Sequence, residues 1–486
     1  MNETPATSRM EAAGRSVTAL AASPFVAKHL KAIIWAAALS IATLFWLFGK
    51  DIAPWAFRFP RQWQWNLKRT ISDFMAWLID DASFGLFTFT DLTRGLAHLI
   101  ELPYTAVLSL LSTGFLQGRG SDAIQILPPL SWLAFIAVSL LMGRYFKDWK
   151  LATLIGACLL YLAVFGQWQS AMVTLSSILI AVPLGVTSGL LVGLLAYRWP
   201  WFEKLIRPVL DLMQTIPVFA YLVPILVLFG FGPVSAIIAT IIYATPPMVR
   251  VAVVALQGVP GEVVDLGRMI GCTRRQMTWK VMVPSALPSI MIGVNQVIML
   301  SLNMVIIASM IGAGGLGFEV LASLRRLDIG AGIEAGVAIV VLAIAIDRLS
   351  QAVAQRNLPV HSKKDASAPF WRRYPYTSVS LAIVLATGLA GGVWGWIQTY
   401  PESMTITTGT FWSEVVKWIN LNFFDELEGL KTAVLLNVMI PFKRFLLGLP
   451  WPAVIGLLAL AGWSLGGWRL AVLCAALAFF IVLVGL

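Results

Sequence analysis

The chain has 486 residues, of which 58% are hydrophobic and only 12% charged. A soluble domain carries about a quarter charged residues, so this composition excludes an ordinary soluble enzyme and fits a chain that faces lipid. The net charge of +11 does not point to nucleic acid, because the basic residues lie in short turns between apolar runs, where the positive-inside rule puts them.

Residues 1–30 read as a polar N-terminal tail, and no small-residue cleavage site follows to make the next run a signal peptide. A helix needs about twenty apolar residues to cross the hydrocarbon core. That rule predicts spans at 31–49, 130–147, 150–167, 172–197, 209–230, 232–250, 287–311, 331–347, 378–398, 449–465 and 467–486. The fold class is therefore all-α and polytopic, with about eleven transmembrane helices. Segment 31–129 holds the first span and a long periplasmic stretch, 50–129. This stretch mixes Trp, Pro and both charge signs, and predicts amphipathic helices; Tyr104 to Phe115 is apolar enough to dip into the bilayer. With the N-terminus inside, four basic clusters fall on the cytoplasmic side: Arg144 to Lys150, Arg198 to Arg207, Arg250 to Lys280, and Arg348 to Arg373. The last of these lies mostly in a basic linker, 356–377.

Cys158, Cys272 and Cys474 are far apart, as are His29, His98 and His361, so neither a disulfide framework nor a metal-ligand spacing is present. No span carries a paired acid–base constellation, which weighs against a membrane-embedded enzyme. An ion channel or structural membrane protein is the remaining alternative to a transporter.

An internal repeat emerges at an offset of 319 residues. Trp132 meets Trp451, Ala134 meets Ala453, Trp149 meets Trp468, and Lys150-Leu151-Ala152 meets Arg469-Leu470-Ala471. On this pattern 130–355 is one complete module, and 378–486 adds spans that begin a second, which leads us to expect a continuation or a remnant.

The stretch GRMIGCTRRQMTWKVMVPSALP, from Gly267, interrupts the apolar chain with Arg268, Arg274, Arg275 and Lys280. Four cations near a bilayer centre would cost roughly 10 kcal/mol, so this stretch stays in water. Arg268 lies three residues from Asp265 and seven from Arg275, which groups them on one face of a short amphipathic helix; a turn ended by proline follows. Elsewhere, Thr215-Ile216-Pro217 with Pro224 predicts a kinked span whose freed carbonyls face either a pathway or a neighbour. Gln296 and Asn303 share one face of the 287–311 span, near Asn295. GAGGLG at Gly312 matches a dinucleotide fingerprint by letters alone, and its place after a span predicts a flexible outer turn.

Asp265-Leu266-Gly267, then Gly271, then Val281, Val283 and Pro284 resemble the Glu-Ala-Ala signature of ABC importer permeases in spacing, with substitutions at several positions. DLMQTIPVFAYLVPILVLFGFG from Asp211, ATPPMVR from Ala244, IIASMIGAGGLG from Ile306 and RLDIGAGIEAGVAIVVLAIAIDRLSQ from Arg326 resemble the permease subunit of glycine betaine, proline betaine and choline importers. The resemblance covers roughly 130–355. It implies a type I importer permease fold in the bacterial inner membrane, importing a betaine-like or methylated amine. The implied partners are a cytoplasmic ABC ATPase dimer, a periplasmic substrate-binding protein, a second permease module and the surrounding lipid. ATP would be hydrolysed by the ATPase, with no cofactor bound here and no catalytic residue.

The same resemblance assigns loop 258–285 to coupling. Asp265 to Gly271 would dock on the ATPase, with Gly267 and Gly271 allowing close approach, Arg268, Arg274 and Arg275 pairing with acids, and Pro284 fixing the turn back. Pro217, Phe219, Tyr221, Gln296 and Asn303 are the candidate pathway residues.

Overall fold

A computed structural model describes residues 24–57, 59–83, 85, 87–118, 124–355, 371 and 374–485. The first 23 residues of the polar tail and most of the basic linker lie outside the described residues. With no water to satisfy backbone groups in hydrocarbon, the apolar runs fold as helices. In chain order these begin with α1 (Pro24–Ile52), α2 (Leu67–Asp80) and α3 (Phe89–Leu108), the last extended by a wide π turn, Ser109–Thr113. A short antiparallel ribbon, β1 (Phe115–Gln117) with β2 (Ile124–Leu127), leads to α4 (Trp132–Phe146) and α5 (Trp149–Val164). Next come α6 (Trp168–Arg198), α7 (Pro200–Thr215), α8 (Val218–Phe229), α9 (Pro233–Gln257) and α10 (Gly261–Met269). Then follow α11 (Arg274–Ser309), α12 (Leu316–Arg326) and α13 (Ile329–Gln355). The chain ends with α14 (Pro375–Gly391), α15 (Gly395–Gln398), α16 (Gly409–Val434), α17 (Ile440–Leu447) and α18 (Trp451–Val484).

Among the described residues six helices are long and apolar enough to cross a membrane, or seven if the bent pair α7–α8 is one span; four shorter apolar helices accompany them. One of the six, Phe89–Thr113, falls in the stretch that hydropathy assigns to a loop. Asp91, Arg94, His98 and Glu101 in its first half mask the apolar second half, where Ile100 and Tyr104 are buried with Ile237, Met304 and Ala308. A crossing there puts the residues just before Phe89 on the side of the basic turns, opposite to the side that the sequence count gives.

The chain forms two compact units, one holding Leu78–Leu421, the other the described residues up to Trp77 with those from Asn422. In the larger unit α6, α9 and α11 form the tight centre. A Cβ on Gly189 or Gly193 would lie 2.6 Å from Met248 or Ala252 of α9, and one on Gly293 of α11 would lie 2.7 Å from Met248. Small residues at such crossings let membrane helices gain packing energy that lipid cannot supply. The α4–α5 hairpin closes where Gly143 meets Ala152, a Cβ there lying 2.8 Å from the Ala152 Cα. It packs Leu151, Ile155, Leu159 and Leu162 against Ala338 and Leu342 of α13. Buried Glu334 of α13 accepts from the Thr407 hydroxyl at 3.0 Å and the Thr408 N–H at 3.2 Å.

In the smaller unit α18 is itself a hairpin. Its helical geometry breaks at Gly466 and Gly467, so the predicted spans 449–465 and 467–486 fold back on each other. A Cβ on Gly462 would lie 3.0 Å from the Ala471 Cα. The segment after α1 packs on this hairpin: the Trp65 N–H reaches the Leu483 carbonyl at 2.8 Å.

Candidate coupling site

Residues 258–285 fold as two helices meeting at a sharp corner. Helix α10 ends in a Schellman motif: the Cys272 N–H donates to Gly267 O and the Gly271 N–H to Arg268 O, both at 3.0 Å. Gly271 holds φ +79° and has open space where a Cβ would stand. Its glycine thus answers a left-handed backbone. Gly267 does meet a neighbour, but within the chain: a Cβ there would lie 2.7 Å from Met277 Cε and 3.5 Å from Val281 Cγ2. Gly267→Ala asks only the mobile end of Met277 to shift, whereas Gly267→Leu must push α10 off α11. The expected cost of the leucine is about 1–3 kcal/mol, read as a lower melting temperature in detergent with the alanine variant near wild type.

The next helix starts at once. Thr273 and Gln276 form a capping box, Gln276 N–H donating to Thr273 Oγ1 at 3.3 Å and Thr273 N–H to Gln276 Oε1 at 2.9 Å. The T-R-R-Q spelling carries this signal in sequence. Arg274 and Arg275 then occupy the first turn of α11, exposed. Cations at a helix N-terminus oppose its dipole, at about 0.3–1 kcal/mol each, so their gain lies outside the helix. Arg268 pairs with Asp265 at 3.2 Å in the open, 72% and 65% exposed, which contributes less than about 1 kcal/mol. The outward face adds apolar Leu266, Met269 and Ile270 at 53%, 78% and 72% exposure. The result is a knob with a greasy tip and a cationic rim. Behind it a groove of about 1030 Å³ is lined by Arg198, Arg268, Arg274 and Arg275 with Trp199 and Trp279.

Pro284 does not turn the chain. It sits inside α11, just after a π turn at Met277–Met282. A proline ring clashes with the carbonyl four residues back, and the wider turn makes room for it. The corner is made at Gly271 and Cys272 instead.

Of the pathway candidates, Pro217 caps α8 at a bend of 102° from α7. The Tyr221 hydroxyl donates to Ile216 O at 3.0 Å and contacts Met213 O, so it occupies the carbonyls that the break frees. Tyr221→Phe is expected to cost about 0.5–1.5 kcal/mol of stability with the KM for transport unchanged; a raised KM would instead make the hydroxyl a ligand. Phe219 is 55% exposed on the following turn. Gln296 and Asn303 lie on a second element, in an outward stripe of α11 with Ile292, Met299 and Ile306. Asn295 turns away and accepts from Ser350 at 3.2 Å, bonding α11 to α13. Arg250 of α9 reaches Asp211 of α7 at 2.5 Å, tying the bent pair to the bundle. The GAGGLG turn joins two helices with no strand, and is packed: Leu316 N–H donates to Thr174 Oγ1 at 2.9 Å.

The family model for the binding-protein-dependent transport system inner membrane component matches residues 181–358, which include this corner, the bent pair and α11. The trimethylamine N-oxide transport system permease protein TmoV of Pelagibacter ubique is 36% identical over 369 residues, covering 74% of this chain and 50% of TmoV. The chain spans 62% of the TmoV of Ruegeria pomeroyi, at 34% identity, so it covers about half to three-fifths of the length of these relatives. The glycine betaine transport system permease protein OpuAB of Bacillus subtilis is 38% identical over 218 residues, 45% of this chain and 75% of OpuAB. A solved chain of the MetNI methionine ABC transporter aligns with 37% of this chain and 93% of its own length, at 25% identity and a TM-score of 0.33. With a cornered knob built on a bundle of apolar helices, and with a relative 38% identical that it covers by three quarters, the chain belongs to the family of binding-protein-dependent transport inner membrane components, the permeases of ABC importers.

Proposed function

We propose that the chain is the membrane-spanning permease of an ATP-driven importer for betaine-like or methylated amines, working in the bacterial inner membrane. The relatives are named for trimethylamine N-oxide and for glycine betaine, and both are small solutes with a methylated nitrogen. The observation that carries the reading is the corner at Gly271. It projects an apolar tip, Leu266, Met269 and Ile270, beside Arg274 and Arg275 whose charges gain nothing from their own helix. Such a knob suits a cleft with an acidic rim on a partner ATPase. There Arg274 and Arg275 pair with carboxylates, Asp265 holds Arg268 in place, and Gly267 lets the knob stand on α11. ATP is hydrolysed by that ATPase dimer, a periplasmic binding protein delivers the solute, and a second permease module completes the pathway. Phe219 beside the bend, with Gln296 and Asn303 on the outward stripe of α11, line the route; the two amides face no lipid-compatible partner unless another module or water meets them.

The test is uptake of labelled trimethylamine N-oxide, glycine betaine and choline into vesicles holding the permease, its ATPase and its binding protein. ATP-dependent accumulation of at least one is expected. Flux that runs without ATP, down its gradient, would replace this reading with a channel.

A further inference from the structure

The larger unit is not packed solid. In the outer half of its centre, α6, α9 and α11 leave a cavity of about 30 Å³ beside Ala313 and Gly314 of the GAGGLG turn. Four hydroxyl side chains line it: Thr174 and Ser177 of α6, Thr240 of α9 and Ser301 of α11. Thr174, Thr240 and Ser301 are buried. Their protons are already placed. Thr240 donates to the Ala236 carbonyl at 2.8 Å and Ser301 to the Val297 carbonyl at 2.7 Å, each within its own helix. Thr174 donates to Ser170 O at 3.0 Å and accepts from the Leu316 N–H at 2.9 Å. Ser177 reaches Val173 O at 3.4 Å and bonds the Tyr104 hydroxyl of α3. A hydroxyl that donates to its helix still holds lone pairs, so Thr240 and Ser301 offer the cavity acceptors and no donor. Nor do they meet each other: among the described residues no bond joins them, whereas Ser188 and Thr245 pair directly between α6 and α9 at 3.2 Å.

We propose that this cavity is a hydration site, whose water donates to Thr240 Oγ1 and Ser301 Oγ and so bridges α9 to α11. Size and chemistry both select water. A buried water needs about 10–15 Å³ and roughly two to four polar partners, and polar cavities of that size are filled while apolar ones stay dry. A methylated amine is too large for the space. An anion needs donors where these walls present acceptors, whereas a water brings protons for both helices. Dry, the same walls would forfeit dispersion contacts as well. The site is not a stretch of the transport route: Ser301 lies about 200° around α11 from Asn303, on the buried side of the helix. It therefore stands apart from the permease reading. Its effect is on how the bundle is joined. Toward the cytoplasmic end, α6 and α9 touch directly at Gly189 and Gly193. Near the outer turn, α9 and α11 are held through a molecule that can be exchanged or released.

An electron cryo-microscopy map of the full-length protein in lipid nanodiscs, at a resolution that shows ordered waters, tests the site directly. It is expected to hold a peak about 2.5–3.0 Å from both Thr240 Oγ1 and Ser301 Oγ; a cavity without one overturns the proposal. Thr240→Val and Ser301→Ala each remove one acceptor with little change of shape. Each is expected to lower the apparent melting temperature, and the double variant should lie closer to the lower single variant than to the sum of the two shifts. The second substitution then removes a partner from a water already loosened by the first. Full additivity overturns the bridge, because the two side chains do not touch each other. A melting temperature that rises in sodium or ammonium chloride over N-methylglucamine chloride, at equal ionic strength, would make the occupant a cation and overturn water as the ligand. None of these readouts uses transport, so failure here is separable from failure of the permease reading.

Discussion

Reversing both charges in the first turn of α11, with Arg274→Glu and Arg275→Glu together, is expected to abolish ATP-dependent uptake while leaving the protein as stable as before or slightly more so. The two effects have opposite signs because they arise in different places. Acids at N1 and N2 of a helix are favoured by its dipole by about 0.3–1 kcal/mol each, where the native arginines are disfavoured. Neither arginine has an ion pair among the described residues. Docking on an acidic rim would lose two charge-assisted bonds and gain repulsion, at about 1.5–3 kcal/mol per bond, which is a loss of more than tenfold in association with the ATPase. Melting temperature in detergent and co-purification of the ATPase measure the two separately. Unchanged co-purification with lost uptake would move the arginines from docking to some other step.

The second large effect is at Gly271, where the backbone and not the space is restrictive. A β-branched residue at φ +79° is a steric outlier, and left-handed geometry costs an ordinary residue about 1–2 kcal/mol. Gly271→Val is therefore expected to unwind the corner and lower uptake at least tenfold, with the membrane helices intact by circular dichroism. Gly271→Asn, which tolerates that conformation, is expected to keep most of the activity. If both variants transport equally, the Schellman corner does not set the coupling geometry. If both fail, a larger side chain is itself excluded there by a docked partner, since the chain's own atoms leave the position open.

How much of this was readable from residues alone follows from what hydropathy and motifs measure. Long apolar runs announce themselves, so α6, α9, α11 and α13 are legible. The cornered knob is legible too, because its glycine, its threonine cap and its arginines are local signals. Three features depend on what sequence does not order by proximity. The apolar half of α3 is averaged away by Asp91, Arg94, His98 and Glu101, and only its burial against Ile237 and Met304 reveals it. Pro284 reads as a helix breaker, yet a π turn six residues long absorbs it. Tyr221 reads as a pathway residue, while its hydroxyl is spent on the carbonyls of Met213 and Ile216. A neighbour distant in sequence, a variation in helix pitch and a break between two helices decide these three outcomes in turn.

The crossing at Gly293 gives α11 a mechanical character. The helix is 36 residues long, about 54 Å at 1.5 Å per residue. It begins at the arginine-bearing corner and ends at the turn where Gly312 lies against Gly232. Between these ends Gly293 lets α11 lie close against Met248 and Val251 of α9, about 28 Å from Arg274 and about 24 Å from Ser309 on the same rise. It is held on both sides of that crossing as well, by Met282, Ala286 and Ile290 toward the corner and by Leu302, Met304 and Ala308 toward the outer turn. The arginine-bearing corner and the outer turn are therefore the two ends of one packed element, and a displacement at either can reach the other only by moving α11 together with the helices packed on it.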